Sequence, residues 1–557
     1  LESAGLFDLR KLAALLLTAG FIAGCTKVGT QGGTATGSSG PTGPNSFTQA
    51  HTLRYATAED ISSLNPHLSQ QTTLGLMSSL TMAFLIKWDH QNQPIPELAT
   101  EVPTKANGGV SDDGLTITYH LRKDAKWSDG APFNADDVVF STNVVLNKAN
   151  NEVSRVGWDS ITKIGEPDKY TVVYHLSKPY SPFIVTFFSS AGANPCVLPK
   201  HLLASLPNIN NAAYNSLPVG IGPFKYQSWK RSDSVTMVPN PNYFRGMPKL
   251  QKVVFEIIPD RNTMMTQLQS QSLDLWYPVP GSYFGRVNKL PGYTYIRQPA
   301  YYFNHQDFNV SSPKVSDVRV RRALEYAMDR AELRHKIGHD VGYLQEGIAP
   351  KTAPYYDPDI KFVPFDLAKA NQLLDQAGWV RGTDGLRAKN GVKLLLNYAA
   401  IAGLQDVDQQ LELIRSNFKK VGADLDIHHY SSATYFQPMQ SGGILYGGKW
   451  DMTGFAWGDD PIGDFSFLYA CDEIPPAGQN DLHWCNQKVS AAAHALFTHY
   501  DQDGRNKDDA VVFQGLADDV PMIVTTGRED IYIFNSDLKN FHPNDVTPFD
   551  DMMNVDI

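Results

Sequence analysis

Leu394, Leu396 and Tyr398 recur at every second position, Val407, Leu411, Ile414, Phe418 and Val421 then follow at helical spacing as far as Gly422, and Leu425 and Ile427 return to alternation. A two-residue repeat, a helical repeat and a second two-residue repeat describe strand, helix, strand. A helix of this length between two strands is a crossover, so the strands run parallel and the connection is right-handed. Parallel sheets bury both faces and receive ligands at the carboxyl ends of their strands. This one unit commits the C-terminal part of the chain to an α/β lobe.

Elsewhere the pattern is shorter-ranged. Leu115, Ile117, Tyr119 and Leu121 alternate with polar residues, and Val172, Tyr174 and Leu176 do the same, which predicts two half-buried strands. Between them Asp129-Gly130 predicts a turn. Asn134 followed by Asp136 and Asp137 predicts a capped helix with acidic residues at the positive end of its dipole. After residue 315, Val320, Ala323, Leu324, Ala327 and Met328 stripe one helix. Asp366 and Gly378 bracket another, with Ala370, Leu373, Leu374 and Ala377 facing inward. The N-terminal part reads as mixed α and β with many short strands. A chain of 557 residues exceeds what one hydrophobic core supports, so at least two lobes are expected.

At the N-terminus Arg10 and Lys11 precede the apolar run Leu12 to Ile22, broken by Thr18 and Gly20, and then Ala23, Gly24 and Cys25. That order reads as an export signal, and the run is shorter than the about 20 apolar residues a membrane span needs. Ile22-Ala23-Gly24-Cys25 resembles a bacterial lipobox, in which the signal is cut before the cysteine and its thiol carries a diacylglycerol. From Thr26 to Ser46 the chain is mostly Gly, Thr, Ser and Pro with Lys27 as its one charge, the composition of a flexible tether. The expected partition is a signal over 1–24 and a lipidated Cys25 with its tether over 25–49.

The formal net charge is −10 and no cluster of Lys and Arg stands out, which argues against nucleic acid as a partner, because neutralising phosphates requires one. With Cys25 lipidated, three cysteines remain. Cys471 and Cys485 close a loop containing Pro475, Pro476 and Gly478 and would pair in an oxidising compartment, the alternative being a metal site shared with His483. Cys196 is left over and expected to be buried. There is no GxSxG elbow, Walker loop, HExxH helix or CxxC pair. Gly220-Ile221-Gly222 lacks a third glycine and runs into Pro223, so it reads as a turn. His335 and His339 have helical spacing but are interrupted by Gly338, and His428 and His429 fall on opposite faces of a strand. Neither pair predicts a metal, and no cofactor and no catalysis are expected.

Lys126-Trp127-Ser128-Asp129-Gly130-Ala131-Pro132-Phe133-Asn134-Ala135-Asp136-Asp137-Val138-Val139-Phe140-Ser141 resembles the signature of the peptide and nickel family of extracellular solute-binding proteins, which feed ABC importers. Three further blocks agree in colinear order: Val219 to Phe224 with Asn240 to Gly246, Asp317 to Arg330, and Asp366 to Trp379. The resemblance implies an α/β, two-lobed, periplasmic-binding-protein-like fold of the large type II peptide-binding subclass, with a hinge and an inter-lobe ligand cleft. One lobe would comprise 50–300 plus 525–557 and the other 301–524. Trp127, Gly220, Gly222 and Pro223 are expected to fix turns and packing rather than to touch ligand.

In peptide-binding relatives a tryptophan is followed closely by an aspartate that takes the peptide's protonated α-amino group, while nearby backbone pairs with the peptide. A buried ammonium needs such a carboxylate, and backbone pairing gives affinity independent of side chains. The matching segment here is Phe455-Ala456-Trp457-Gly458-Asp459-Asp460-Pro461-Ile462-Gly463-Asp464. The resemblance implies Asp460 as the anchor, with Asp459 as its rival and Trp457 and Gly458 beside it. Pro461 stands where peptide binders often carry an aromatic. Tyr301, Tyr302 and Asn304 are expected at the cleft. The function implied is a lipid-anchored monomer that captures short peptides and delivers them to an ABC permease. Oligosaccharide, nickel-complex or haem binding on the same fold is the alternative, and an exported hydrolase or a peptide chaperone is the second.

Overall fold

The computed structural model describes residues 44–557 except 70, 192–194, 362, 438, 459, 460 and 464. The signal segment, Cys25 and most of the tether lie outside the described residues, and so do Asp459 and Asp460.

Strand Leu395–Ile401, helix Gln405–Val421 and strand Asp424–Tyr430 form the predicted crossover, the strands pairing in parallel from Leu395↔Asp424 to Ile401↔Tyr430. The helix buries Leu411, Ile414, Phe418 and Val421 along one stripe. Asp406 and Asp408 match its dipole at one end, Lys419 and Lys420 at the other, and Gly422 stops it with φ of 83°. These strands lie at one edge of a ten-stranded mixed sheet. Its order runs Asp424–Tyr430, Leu395–Ile401, Met452–Gly458, Tyr293–Phe308, Met522–Asn535, Leu275–Trp276, Thr52–Thr57, Lys252–Ile257, Ser234–Pro239 and Phe224–Lys230.

Tyr293–Phe308 and Met522–Asn535, of 16 and 14 residues, are antiparallel neighbours at the centre of the sheet. Each serves both halves. Met452–Gly458 pairs with the later part of the first strand, and Leu275–Trp276 with the end of the second. The hydrophobic clusters divide accordingly. Leu53, Tyr55, Phe255 and Tyr532 pack in one cluster, and Trp88, Trp127, Trp158 and Tyr174 in another. Leu324, Leu396 and Phe418 build a third, and Tyr301, Tyr355 and Phe513 a fourth, on the other side of the crossing strands. The result is a two-lobed α/β fold joined through its own sheet.

The strongest sequence signature has a packing role. Asn134 and Asp137 form a reciprocal capping box at the start of helix Ala135–Leu146, and the fully buried Trp127 donates from Nε1 to Asp137 Oδ2 at 3.3 Å. A Cβ on Gly220 or Gly222 would lie 1.9 or 2.3 Å from the carbonyl oxygen of Thr81 or Leu80, so only glycine fits either position. Cys471 and Cys485 are bonded, with Cα atoms 4.7 Å apart, which removes the alternative of a metal shared with His483. Cys196 is free and buried.

The folded body begins ahead of residue 50. Asn45 donates from its backbone N to Asp537 Oδ2 at 2.6 Å and from Nδ2 to Asn535 Oδ1 at 2.8 Å and Gly292 O at 3.1 Å. Thr48 reaches the same Asp537 carboxylate at 2.5 Å, and Phe47 stacks on Tyr293 with ring centroids 5.3 Å apart. Residues 45–48 therefore belong to the folded body. Their composition suggests a linker, but their partners lie hundreds of residues away.

Candidate functional site

The two crossing strands keep register from Tyr293↔Asn535 to Pro299↔Glu529, lose it over Ala300, Tyr301 and Tyr302, and resume at Phe303↔Gly527. A second shift falls between Asn304 and His305. Bulges break the ladder and bend the strand, and these two mark the passage of the sheet from lobe to lobe. Gly527 is held here by Tyr343, whose N donates to Gly527 O at 3.1 Å and whose O accepts from Gly527 N at 2.9 Å. A Cβ on Gly527 would lie 2.3 Å from Tyr343 Cζ and 2.4 Å from Gln345 Oε1. Glycine is required for that approach.

A cavity of about 440 Å³ opens at this crossing, with Arg261 and Ser282 from one lobe, Asp406 from the other, and Asn304, Arg528 and Glu529 from the strands themselves among its lining residues. Arg528 donates from Nε to Asp530 Oδ1 at 3.0 Å and places Nη2 in ion-pair contact with the same oxygen at 2.9 Å, and its Cζ lies 5.0 Å from the ring centroid of Tyr302. Burial works against the guanidinium charge, but Asp530 together with Tyr277 and Tyr302 outweighs it, so the pKa of Arg528 lies above its ordinary value. Asp530 accepts from the Tyr277 hydroxyl at 2.7 Å, and Tyr277 stacks on Tyr532 with centroids 4.2 Å apart. Glu529 is engaged by Arg297 and by the Gly342 backbone N at 2.9 Å. Burial, helped by the charge of Asp530, pushes the Asp545 carboxyl up to about 7 against hydrogen bonds from Asn92 and Thr352.

Of the residues singled out by sequence, Tyr302 pairs with Gly458 and Asn304 with Ala456, which puts Tyr302, Asn304 and Gly458 on one face of the sheet. Tyr302 is 43% exposed, and Asn304 Nδ2 donates to Thr526 Oγ1 at 3.1 Å. Trp457 pairs with Phe303 and turns to the opposite face, edge-on to Phe455 and Phe467 at 5.4 and 6.1 Å. Tyr301 is buried in a lobe core rather than lining the cleft. Trp457 and Tyr301 are thus not brought together with Tyr302 and Asn304, because alternation sends strand neighbours to opposite faces. Ile462 packs in the cluster that holds Trp88, Trp127 and Trp158.

Arg528, Asp530, Tyr277 and Asp545 escaped the sequence reading. The signal for the first two was a run of three charges, Arg528-Glu529-Asp530, inside the otherwise apolar strand Met522–Asn535.

The lobes also touch away from the crossing strands. The Tyr500 hydroxyl donates to Gly114 O and accepts from Tyr180 N, both at 2.9 Å. Ser181 donates from N to Phe497 O at 3.0 Å and from Oγ to Leu496 O at 2.7 Å, and Phe497 stacks on Tyr180 at 5.8 Å. Among the described residues no cluster of three or more His, Cys, Asp or Glu is placed to hold a metal, and no helix is long and apolar enough to cross a membrane. What the site offers is a bounded space between two lobes with both signs of charge, which suits binding rather than bond-making.

Comparison with known proteins agrees. The chain is similar to the oligopeptide-binding protein AppA of Bacillus subtilis, 24% identical over 419 residues that cover 74% of this chain and 75% of that protein. It is also similar to the dipeptide-binding protein of Escherichia coli, 26% identical over 461 residues covering 78% and 82%. Its fold is similar to that of Bacillus subtilis AppA in complex with a nonapeptide, with a TM-score of 0.72 at 21% identity over 90% of this chain and 98% of that one. NikA from Brucella suis in complex with Fe(III)-EDTA matches with a TM-score of 0.77 at 20% identity over 90% and 99%. The family model for bacterial extracellular solute-binding proteins, family 5 Middle, matches residues 93–474. The chain belongs to that family, the substrate-binding components of ABC importers, and is a binding protein rather than an enzyme.

Proposed function

We propose that this protein is a lipid-anchored peptide receptor of an ABC importer. The signal over 1–24 directs export, Cys25 carries the lipid, and a monomer with lobes over 50–300 plus 525–557 and over 301–524 closes on a short peptide and presents it to the permease. Asp460, or its neighbour Asp459, takes the peptide's α-amino group, with Trp457 and Gly458 setting the position of that segment. The observation that carries the reading is the cavity at the crossing strands, lined from both lobes and bearing Arg528 and Arg261 with Asp406 and Glu529. Opposite charges around one cavity suit a zwitterion, and the relatives named above include oligopeptide- and dipeptide-binding proteins. A ligand that contacts both lobes in the closed form alone shifts the protein toward closure.

The test is thermal unfolding of the full chain with free di- to pentapeptides, their N-acetylated forms, oligosaccharides, and nickel–histidine. A ligand at 100 times its Kd adds about 2.7 kcal/mol to stability, so a true ligand raises the midpoint measurably. Free peptides should stabilise and N-acetylated peptides should not. Stabilisation by sugars or the nickel complex alone refutes the peptide reading, and equal stabilisation by acetylated peptides refutes the amino anchor.

A further inference from the structure

We propose that Arg528 takes the carboxylate of the ligand, so that the protein selects ligands presenting a free carboxylate at the crossing strands. This rests on the peptide reading above, in which the group is the peptide's C-terminus.

A guanidinium presents five N–H donors along two usable edges. Asp530 occupies the edge formed by Nε and Nη2, Nε donating to its Oδ1 at 3.0 Å and Nη2 lying 2.9 Å from the same oxygen. Among the described residues no other group accepts from Arg528, so the edge between Nη1 and Nη2 remains open, and Arg528 lines the 440 Å³ cavity. The side chain of Arg528 is 40% exposed, whereas that of its partner Asp530 is 7% exposed. An open Nη1–Nη2 edge matches a carboxylate with two parallel hydrogen bonds. The plane of that edge is fixed from three sides. Tyr302 covers the face of the guanidinium, Asp530 holds its flank, and Tyr277 with Tyr532 holds Asp530. Side-chain ordering is complete before the ligand arrives, which is the condition for converting contacts into affinity.

The surroundings narrow the anion. Asp406, Glu529 and Asp530 line the same cavity, so a phosphate or other dianion meets three carboxylates there. A single carboxylate on a ligand that also carries an ammonium group does not bring a second negative charge with it. Arg528 is therefore a specificity residue, and an Arg-to-Lys change is not conservative at this position, because an ammonium cannot reproduce the fork.

The experiment measures binding of equimolar randomised pools of tri- to pentapeptides to the full chain by calorimetry, each pool as free acid and as C-terminal amide. The proteins are the wild type, R528K and the double variant R528Q/D530N, in which the asparagine keeps an acceptor for Tyr277 and no charge is left unpaired. Wild type should prefer the acid pool by about tenfold to a hundredfold, the usual range for a hydrogen bond to a charged group. R528Q/D530N should lose that preference with the affinity for amides little changed, and R528K should keep a fraction of it. Equal binding of acids and amides by wild type overturns the proposal while leaving the peptide reading intact. So does a double variant that binds both pools more weakly by the same factor. If wild type binds neither pool, the peptide reading falls and the role of Arg528 falls with it.

Discussion

Tyr500→Phe removes one of the contacts between the lobes away from the cavity, leaving those of Ser181 and Phe497 in place. The hydroxyl makes two hydrogen bonds to the opposite lobe, one to Gly114 O and one from Tyr180 N, each 2.9 Å long. The ring stays, so its packing on Phe183 at 6.1 Å and the approach of Lys105 Nζ at 5.2 Å persist. A typical intramolecular hydrogen bond contributes about 1 kcal/mol net, so the pair contributes about 2 kcal/mol. When the lobes separate, water satisfies the same groups, and the loss therefore falls on the closed form alone. At about 1.4 kcal/mol per factor of ten, the closed-to-open ratio drops by roughly thirtyfold. Small-angle scattering of the unliganded full chain should move toward a more extended shape, and the affinity for whichever peptide stabilises the wild type should weaken by up to the same factor. The thermal midpoint without ligand should stay nearly unchanged, because neither lobe core is altered. A lowered midpoint with unchanged shape and affinity would show that these bonds support a lobe rather than closure, and would sink the reasoning.

Gly527→Ala places a methyl group 2.3 Å from Tyr343 Cζ; overpacking of this kind costs about 1–3 kcal/mol, read as a lower urea midpoint. Gly527→Ala combined with Tyr343→Ala should recover part of it, and a double variant no better than the single one refutes the steric cause. For Asp545, whose carboxyl rises from 3.8 to about 7, the folded form keeps a proton that the unfolded chain releases. Stability from this group therefore falls as pH rises between those two values. Asp545→Asn should flatten the dependence of the urea midpoint between pH 4 and pH 7, and an unchanged slope refutes the assignment.

The parts of the fold that could be read from sequence are those whose cause is local. Gly422 ends its helix through its own φ, and Asn134 caps its helix together with Asp137, only three residues further on. Likewise, the buried stripe from Leu411 to Val421 follows from spacing alone. The site is legible only in part, because it depends on register between distant strands. Tyr302 and Trp457 are both aromatic residues near the crossing, yet the pairing of Phe303 with Trp457 sends Trp457 to the opposite face, and no local repeat encodes a register between strands so far apart. The position of Arg528 depends on Tyr302, Tyr277 and Asp530 converging from three segments. The docking of Asn45 depends on Asp537, 492 residues away, and composition around Asn45 carries no trace of it.

That docking sets the path of mechanical force through the molecule. A pull on the chain ahead of residue 45 enters at Asn45 and Thr48 and passes directly to Asn535, Asp537 and Gly292. Asn535 is paired with Tyr293 at the outer end of the crossing strands, ahead of the bulge at Ala300 to Tyr302. Tension applied there would thus reach the outer end of the two central strands before any other part of the sheet.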